Sequence, residues 1–368
     1  IVSRSEGQTV GRRWVSLPIV MMLIQLISLW RILPQNHRAG ETQILATFGL
    51  GNNVSLIRGT LIAILAGFII IPRPTSWLVW LPVILYFIAS VFDYLDGYFA
   101  RITNHATQLG AVLDINNDSL GVLIVTLLAY HFGSAPWWYV PFGFARYLFL
   151  YGLWSHKRRG LPVYDLIPSH VRRGYAALQV GLINVLLIPV IGPPASFVGA
   201  TLFLLPFIGV FIYDYLQVTG RTKELSPQAN SFWWRVWRGL SGWFPLVLRV
   251  ATVIGLGAFV WPLLTNFEEI KLLYVAQGMQ NPEVGLLIFG GLEGIYLVMI
   301  GLGAAGRTIA ILGLVTAGFH LQYDVFNWQY QIILVSYIGF LFLGTGQYSL
   351  WKPEDWLLTN RAGESKDT

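Results

Sequence analysis

The 368-residue chain has no cysteine and few charged residues. Without cysteine it can form no disulfide, no thiol nucleophile and no thiolate metal site. Asp, Glu, Lys and Arg make up only 11% of the chain, whereas a soluble domain carries about 25%. Hydrophobic residues make up 55% of the chain, and its mean hydropathy is +0.60. The composition therefore predicts an integral membrane protein surrounded by the lipid bilayer.

The net charge of +6 is better explained by a membrane than by nucleic acid as a partner. Lys and Arg are concentrated at 155–173 and 217–243, whereas 265–283 is net acidic. Basic loops between apolar segments remain in the cytoplasm, so both basic stretches and the 100–109 loop are predicted to be cytoplasmic. Fifteen Trp and 17 Tyr fit aromatic belts at the two membrane interfaces.

Long apolar segments recur along the chain, most of them near the roughly 20 residues that a helix needs to cross a bilayer. Six predicted spans are followed by four more, at 55–72, 77–99, 110–132, 135–154, 175–191, 194–216, 244–264, 284–303, 306–322 and 329–346. The stretch 218–243 between the two sets is polar, then aromatic and basic, which indicates a linker with a short interfacial helix. The predicted fold class is thus an all-α polytopic membrane protein.

The N-terminal region, 1–44, contains a further apolar segment at 14–33 that is flanked by arginines. A charged start followed by an apolar run is also typical of a signal peptide, but no small-residue cleavage site follows it. We expect an interfacial helix or a short membrane helix here, and the pattern does not distinguish between them.

Acidic residues are scarce, yet four aspartates lie where apolar segments meet the cytoplasm, in VFDYLDGYFARITNHATQLGAVLDINNDSL. A carboxylate at membrane depth costs several kcal/mol unless it is paired or bound to metal. Asp93 and Asp96 are three residues apart and share one helix face, and Asp114 and Asp118 are one turn apart on the next helix. A short loop makes the two helices antiparallel, so the two carboxylate pairs are predicted to face each other.

Four carboxylates without His or Cys form an oxygen-only site, which favours Mg²⁺ or Mn²⁺ over zinc or copper. Two ions about 3.5–4 Å apart would suit a pyrophosphate and phosphoryl transfer. Gly97, Ala100 and Gly110 leave space for a ligand, and Arg101 can donate to a phosphate in bidentate fashion. The alternatives are solvated carboxylates paired with Arg101, or an ion-coupled transporter that uses intramembrane acids.

This pattern resembles the signature of the CDP-alcohol phosphotransferases, which is D-x-x-D-G-x-x-A-R, eight residues, and G-x-x-x-D-x-x-x-D. The eight matching positions are Asp93, Asp96, Gly97, Ala100, Arg101, Gly110, Asp114 and Asp118. A chance match at all of them is on the order of 10⁻¹⁰ per starting point. Upstream, Asn52, Ser55 and Arg58 resemble the family's N-x-x-T-x-x-R, with Ser in place of Thr.

The resemblance covers 45–217 and implies a six-helix catalytic domain, often homodimeric in that family. Asp93, Asp96 and Asp114 would ligate the metals, while Asp118 would contribute and also take the proton from the acceptor hydroxyl. The implied reaction transfers a phosphatidyl group from CDP-diacylglycerol, or another CDP-alcohol, to a polar alcohol, with release of CMP at the cytoplasmic face. The residues that would hold the CDP moiety are Gly97, Ala100, Arg101 and Gly110.

The substrates are less clearly indicated. Arg146 in FGFARYLF and Arg172, Arg173 and Gln179 in PSHVRRGYAALQ resemble the phosphatidylglycerophosphate synthases, and such arginines suit an acceptor like glycerol 3-phosphate. Anchoring at the membrane interface is the alternative role for Arg172, Arg173 and Arg58. The candidate substrate-phosphate contacts are Asn52, Arg58, Arg146, Arg172 and Arg173.

One departure from the pattern of the phosphatidylglycerophosphate synthases leaves the identity of the acceptor alcohol open. The phosphatidylglycerophosphate synthases usually have Lys directly after the last aspartate, whereas this chain has Ser119. Inositol phosphate, inositol, serine or a second lipid therefore stay open as acceptors. So does transfer from CDP-choline or CDP-ethanolamine to a lipid. A catalytically inactive scaffold is the remaining alternative, and it conflicts with the eight intact signature positions.

The second half, 244–358, holds the last four predicted spans and precedes a tail at 359–368. Its segments LRVATVIGLGAF, LGAAGRTIAILGL and GTGQYSLWKPEDWLL resemble DoxX-like four-helix membrane proteins. His320 and Asp324 are four residues apart near a span end and form either a site or an interfacial pair. A packing role, a channel for lipid product and a redox-linked role all stay open for this half.

Overall fold

The computed structural model shows a helical protein. It describes residues 7–164, 166, 179–189, 191–221, 235, 238–239, 242–276, 278–279, 281–322, 328–346 and 348–351. Within these ranges there is no strand, and the one isolated bridge joins Ala304 to Trp351. The predicted all-α class is confirmed.

The α-helices are, in chain order, α1 (Gln8–Ile32), α2 (Gly49–Ala66), α3 (Leu81–Ile102), α4 (Gln108–His131), α5 (Val140–Gly143), α6 (Ala145–Arg158), α7 (Ala195–Val218), α8 (Phe244–Thr265), α9 (Phe267–Ala276), α10 (Pro282–Leu302), α11 (Gly306–Gln322) and α12 (Trp328–Leu343). Short 3-10 helices occur at Leu33–Gln35, Gly67–Ile70, Trp77–Trp80 and Trp137–Tyr139. Residues 179–186 are also helical.

Among the described residues, seven helical segments are long and apolar enough to cross a membrane. They are Gln8–Gln35, Gly49–Ile70, Trp77–Ile102, Gln108–His131, Ala195–Val218, Phe244–Thr265 and Pro282–Leu302. This confirms the predicted multi-span membrane protein. Helices α11 and α12 are shorter, with 17 and 16 residues. The division into six and four spans therefore stays a prediction.

The segment predicted as one span at 135–154 is not one helix. It consists of the 3-10 turn, the four-residue α5 and then α6. The amide of Phe144 donates to the carbonyl of Pro141 at 3.1 Å, a bond to the third preceding residue that interrupts the α-helical pattern between α5 and α6 while Phe144 stays in the right-handed helical region. Apolar composition alone did not reveal this break. The predicted span at 175–191 lies partly outside the described residues.

Helix α1 contains the apolar segment of the N-terminal region. It has 25 residues and runs antiparallel to α2. The Trp14 ring packs edge-on against Phe68, with centroids 5.7 Å apart, and Gln25 donates to the carbonyl of Gly59 at 3.0 Å. Length and packing along α2 both fit a helix that crosses the membrane.

Contacts divide the chain into two compact units. The first contains the described residues up to 155 together with 183–189, and the second contains the described residues of 156–182 and those from 191 onward. Ile62, Phe68 and Leu128 are among the fully buried core side chains of the first unit, which carries the aspartate signature. In the second unit Leu263, Tyr274 and Leu286 form a buried cluster. The predicted domain limits and the linker at 218–243 stay predictions, because most of that linker lies outside the described residues.

Candidate active site

Helix α2 is the central element around which the signature residues are arranged. It packs extensively against both α3 and α4, whereas α3 and α4 touch each other at few positions. A Cβ added at Gly51 of α2 would lie 2.8 Å from the carbonyl oxygen of Asp96 and 3.0 Å from the Cβ of Ala100. Because glycine has no side chain at position 51, the backbone at the start of α2 can lie directly against the signature residues of α3.

The turn between α3 and α4 sets the second pair of aspartates opposite the first. Asn104 adopts a positive φ of 49° in this turn. Thr107 is the N-cap of α4, and its Oγ1 accepts a hydrogen bond from the amide of Gly110 at 3.0 Å. Such a cap satisfies an amide that has no partner within the helix. Helix α4 thus begins at a defined residue, which fixes where Asp114 and Asp118 lie.

Three of the four aspartates come together. Asp93 of α3 and Asp114 and Asp118 of α4 each offer an oxygen within 4.8 Å of the others. Their side chains are 44%, 46% and 55% exposed, so the cluster faces an open space and is not sealed in the core.

Arg58 of α2 lies against this cluster. Its Nη1 is 2.5 Å from Oδ1 of Asp93 and 3.0 Å from Oδ1 of Asp114, and its Nη2 pairs with Asp118. The Arg58 side chain is only 7% exposed. It is therefore a buried cation shared by three carboxylates and not an exposed interface anchor.

Asp96 is held separately from the other three aspartates. Its residue is 7% exposed, and its Oδ2 accepts a hydrogen bond from the Ser55 hydroxyl at 2.7 Å. Asn117 of α4 in turn donates to the backbone carbonyl of Ser55 at 2.8 Å. Ser55 occupies the position where the resembled family has Thr, and it retains the hydroxyl that this contact needs.

A cavity of about 230 Å³ adjoins Asp96 and Asp114. Its lining includes the four small or basic signature positions that were expected to hold CDP. The lining residues are Gly51, Asn52, Ser55, Asp96, Gly97, Ala100, Arg101, Ala106, Thr107, Gly110, Ala111 and Asp114. Signature residues of α3 and α4 thus share one cavity with the polar side chains of α2.

Asn52 both lines the cavity and ties helices together. Its amide donates to Thr107 Oγ1 at 3.1 Å and to Asn36 Oδ1 at 3.4 Å. A Cβ added at Gly110 would lie 2.5 Å from Oδ1 of Asn52. Glycine at 110 therefore makes room for the Asn52 amide. Sequence reasoning missed this role of Asn52, Asn36 and Thr107, and the one available signal was a capping Thr three residues before Gly110.

The other predicted contacts are not gathered at this cavity. Arg101 lines it, whereas Arg146 is exposed on α6 and is not among the lining residues. Gln179 is buried, and its amide donates to the carbonyl of Phe203 in the second unit. Arg172 and Arg173 lie outside the described residues.

The second unit contains a buried acid that the sequence analysis did not single out. Glu293 of α10 is fully buried, and its Oε1 accepts hydrogen bonds from the hydroxyls of Thr316 at 3.2 Å and Tyr330 at 3.1 Å. These contacts join α10 to α11 and α12. A single Glu in an otherwise apolar span was the missed signal. The predicted pair of His320 and Asp324 cannot be placed, since the His320 side chain and all of Asp324 lie outside the described part.

A divalent cation fits the donor set around Arg58. Carboxylate oxygens are the ligands that Mg²⁺ and Mn²⁺ prefer, and three of them converge from two helices. A cation, the Arg58 guanidinium, already lies among them. The fold and this site define a multi-span, all-α membrane protein with a cluster of carboxylates, suited to a divalent metal, beside a polar cavity.

Residues 48–213 match the family described as CDP-alcohol phosphatidyltransferase. The match spans the region in which the eight signature positions predicted such a domain. The family generally uses a divalent metal.

Curated relatives support the same assignment for part of the chain. A putative cardiolipin synthase of Mycobacterium tuberculosis is 34% identical over 116 residues, which are 30% of this chain and 54% of that protein. A CDP-diacylglycerol–glycerol-3-phosphate 3-phosphatidyltransferase of Bacillus subtilis is 36% identical over 105 residues, 25% of this chain and 53% of that protein. The chain therefore spans about half the length of these relatives. No solved structure matches the chain significantly.

Proposed function

We propose that the protein transfers a phosphatidyl group from CDP-diacylglycerol to the hydroxyl of a polar alcohol and releases CMP. The observation that carries the proposal is the signature of α3 and α4 gathered with α2 around one cavity and one carboxylate cluster. In this reaction the acceptor oxygen forms a bond to the phosphorus distal to cytidine, and the bond from that phosphorus to CMP breaks. The relatives' names describe reactions of the same class.

We assign the metal to the four aspartates. Asp93, Asp114 and Asp118 already converge, and Asp96 has one oxygen beyond the Ser55 hydrogen bond. Two Mg²⁺ ions, or Mn²⁺, are the proposed occupants, and such ions neutralise charge that builds on the leaving phosphate. The cavity beside Asp96 and Asp114 is the proposed site for the CDP moiety.

Asp118 is the proposed general base. It would accept the proton of the acceptor hydroxyl while that oxygen attacks phosphorus. A carboxylate is a weak base, so the hydroxyl must lie near positive charge that lowers its own pKa. The side chain of Asp118 is 55% exposed, which leaves it accessible to an acceptor that arrives from the open side of the cluster.

Glycerol 3-phosphate is the first candidate acceptor, in keeping with the Bacillus subtilis relative. A second lipid is an alternative in keeping with the cardiolipin synthase relative, and Ser119 keeps inositol phosphate, inositol and serine open as well. We further propose that the site faces the cytoplasm, because the 100–109 loop lies on the side of the basic loops. A homodimer, the domain limits 45–217 and the DoxX-like character of 244–358 are part of the same proposal.

The test is CMP release by the purified full chain with CDP-diacylglycerol and Mg²⁺. Glycerol 3-phosphate, phosphatidylglycerol, inositol phosphate, inositol and serine are supplied one at a time. Release that depends on one alcohol supports the proposal and identifies the acceptor. Absence of release with every alcohol, with Mg²⁺ and with Mn²⁺, contradicts it and favours a soluble CDP-alcohol donor or, failing that, ion-coupled transport.

A further inference from the structure

The oxygens that contact Arg58 belong to the same carboxylates that are assigned to the metal. Nη1 contacts Oδ1 of both Asp93 and Asp114, and Nη2 contacts Oδ1 of Asp118. One guanidinium therefore joins α2 to α3 and α4 at the centre of the carboxylate cluster.

The position of Arg58 is built into α2. Asn52, Ser55 and Arg58 follow one another at a spacing of three residues and are all buried. Asn52 donates to the cap of α4, Ser55 donates to Asp96, and Arg58 pairs with the remaining aspartates. Residues three apart lie on one helix face, so this polar face of α2 meets every part of the site. Because α3 and α4 touch at few positions, Arg58 fills the gap between them.

Electrostatic interactions among the three carboxylates, the Arg58 guanidinium and a metal ion determine how strongly this site binds metal. Three carboxylates within 4.8 Å of one another repel unless a cation lies among them. Arg58 supplies one positive charge to that position. A divalent ion bound to the same oxygens would lie a few ångströms from the guanidinium, and like charges at that distance repel strongly in a partly buried site. The guanidinium and the metal therefore compete for Asp93 and Asp114.

We propose that Arg58 and the metal compete for Asp93 and Asp114, so that metal binding requires the guanidinium to leave these two carboxylates. Arg58 holds the three carboxylates together and thereby weakens metal binding. This inference rests on the proposed function only in taking the competing ion to be Mg²⁺ or Mn²⁺. It makes Arg58 a positioning residue for the carboxylates.

The test compares the wild type with Arg58→Gln, Arg58→Lys and the control Arg31→Gln, each as the full chain in nanodiscs. Arg31 is an exposed arginine in the last turn of α1. Isothermal titration gives the affinity for Mg²⁺ and Mn²⁺, and thermal unfolding is followed with and without each metal. No substrate is needed, so the readout is independent of turnover.

Arg58→Gln is expected to lower the unfolding temperature without metal, because three carboxylates lose their shared partner. The same change is expected to tighten metal binding about tenfold, since no cation has to be displaced. Metal should then raise the unfolding temperature more than in the wild type. Arg58→Lys keeps the charge but lacks the bidentate guanidinium, so its metal affinity and its unfolding temperature without metal should lie between those of the wild type and of Arg58→Gln. Arg31→Gln should have the metal affinity and the unfolding temperature of the wild type.

Equal or weaker metal binding by Arg58→Gln would overturn this competition, as would an unchanged unfolding temperature without metal. If Arg58→Gln fails to fold, Arg58→Lys decides by the same criterion of tighter metal binding than the wild type. Failure of the wild type to bind either metal would instead count against the proposed function and its metal assignment.

Discussion

Replacing Gly110 by Ala is the sharpest test of how the cavity is built. The added Cβ would lie 2.5 Å from Oδ1 of Asn52 and 3.4 Å from Oγ1 of Thr107. The first distance is far below van der Waals contact, so the Asn52 amide must move. That amide is buried and donates to Thr107 at 3.1 Å, which limits where it can go.

The expected cost follows from these contacts. Crowding in a packed interior costs about 1–3 kcal/mol, and weakening the Thr107 cap adds up to about 1 kcal/mol. We expect Gly110→Ala to lower the free energy of unfolding by about 1–3 kcal/mol and to reduce CMP release. Gly257→Ala is the matched control, because a Cβ at that helical glycine of α8 meets nothing within 4 Å.

A double-mutant cycle with Asn52→Ala isolates the clash. Asn52→Ala alone removes one of the two donors to the buried Thr107 hydroxyl and leaves the Gly110 amide as the other, at a cost of about 0.5–1.5 kcal/mol. Once the Asn52 amide is gone, the Cβ added by Gly110→Ala no longer collides with Oδ1 of residue 52. The double variant should therefore be more stable than the sum of the single effects by about 1 kcal/mol or more. Unfolding is measured by chemical denaturation in detergent. Additive effects, or a Gly110→Ala protein as stable as the control, would refute the argument.

Two further substitutions test the roles assigned to single side chains. Asp118→Asn removes the proton acceptor but keeps the shape of the side chain, so CMP release should vanish. The half-exposed ion pair of Asp118 contributes only about 0–1 kcal/mol to stability, so the unfolding temperature should stay nearly unchanged. Normal turnover by this variant would contradict the assignment of Asp118 as the general base. Ser55→Ala deletes the hydroxyl that donates to Asp96 at 2.7 Å, so CMP release should fall about tenfold, in line with the loss of a hydrogen bond to a charged group. Ser55→Thr, which keeps the hydroxyl, should retain the activity, and equal activity of the Ala and Thr variants would show that the hydroxyl is dispensable.

Much of the site could be predicted because its signature is local in sequence. Asp93 and Asp96 share a face through helical spacing, and so do Asp114 and Asp118. A short connection then makes the two helices antiparallel. The structure does bring Asp93, Asp114 and Asp118 together, and the family match at 48–213 agrees with the expected 45–217.

Contacts between distant helices could not be predicted in this way. Arg58 and Asp118 are 60 residues apart in sequence, and so distant a pair has no periodicity that connects it. Helix α2 packs between α3 and α4, and this packing places the Arg58 side chain in the carboxylate cluster. Likewise, the separation of Asp96 through Ser55 depends on how closely α2 and α3 cross at Gly51.

Apolar composition was a reliable guide to membrane character and a poorer guide to individual spans. It predicted the helices at Gly49–Ile70, Trp77–Ile102 and Gln108–His131 closely. It also predicted one span at 135–154, where the segment consists of a 3-10 helix, α5 and α6, with the α-helical hydrogen-bond pattern interrupted at Phe144. Hydropathy averages over many residues and does not show such a local interruption.

The amino-acid sequence by itself determined the membrane class, the family and the four carboxylates, because composition and helical spacing act over short stretches of chain. Only the tertiary structure decided that Arg58 lies among three of those carboxylates, that Asn52 occupies the space left by Gly110, and that Ser55 holds Asp96. These three contacts depend on the angle and closeness of helix packing, which arise from the fit of whole surfaces and not from any local pattern.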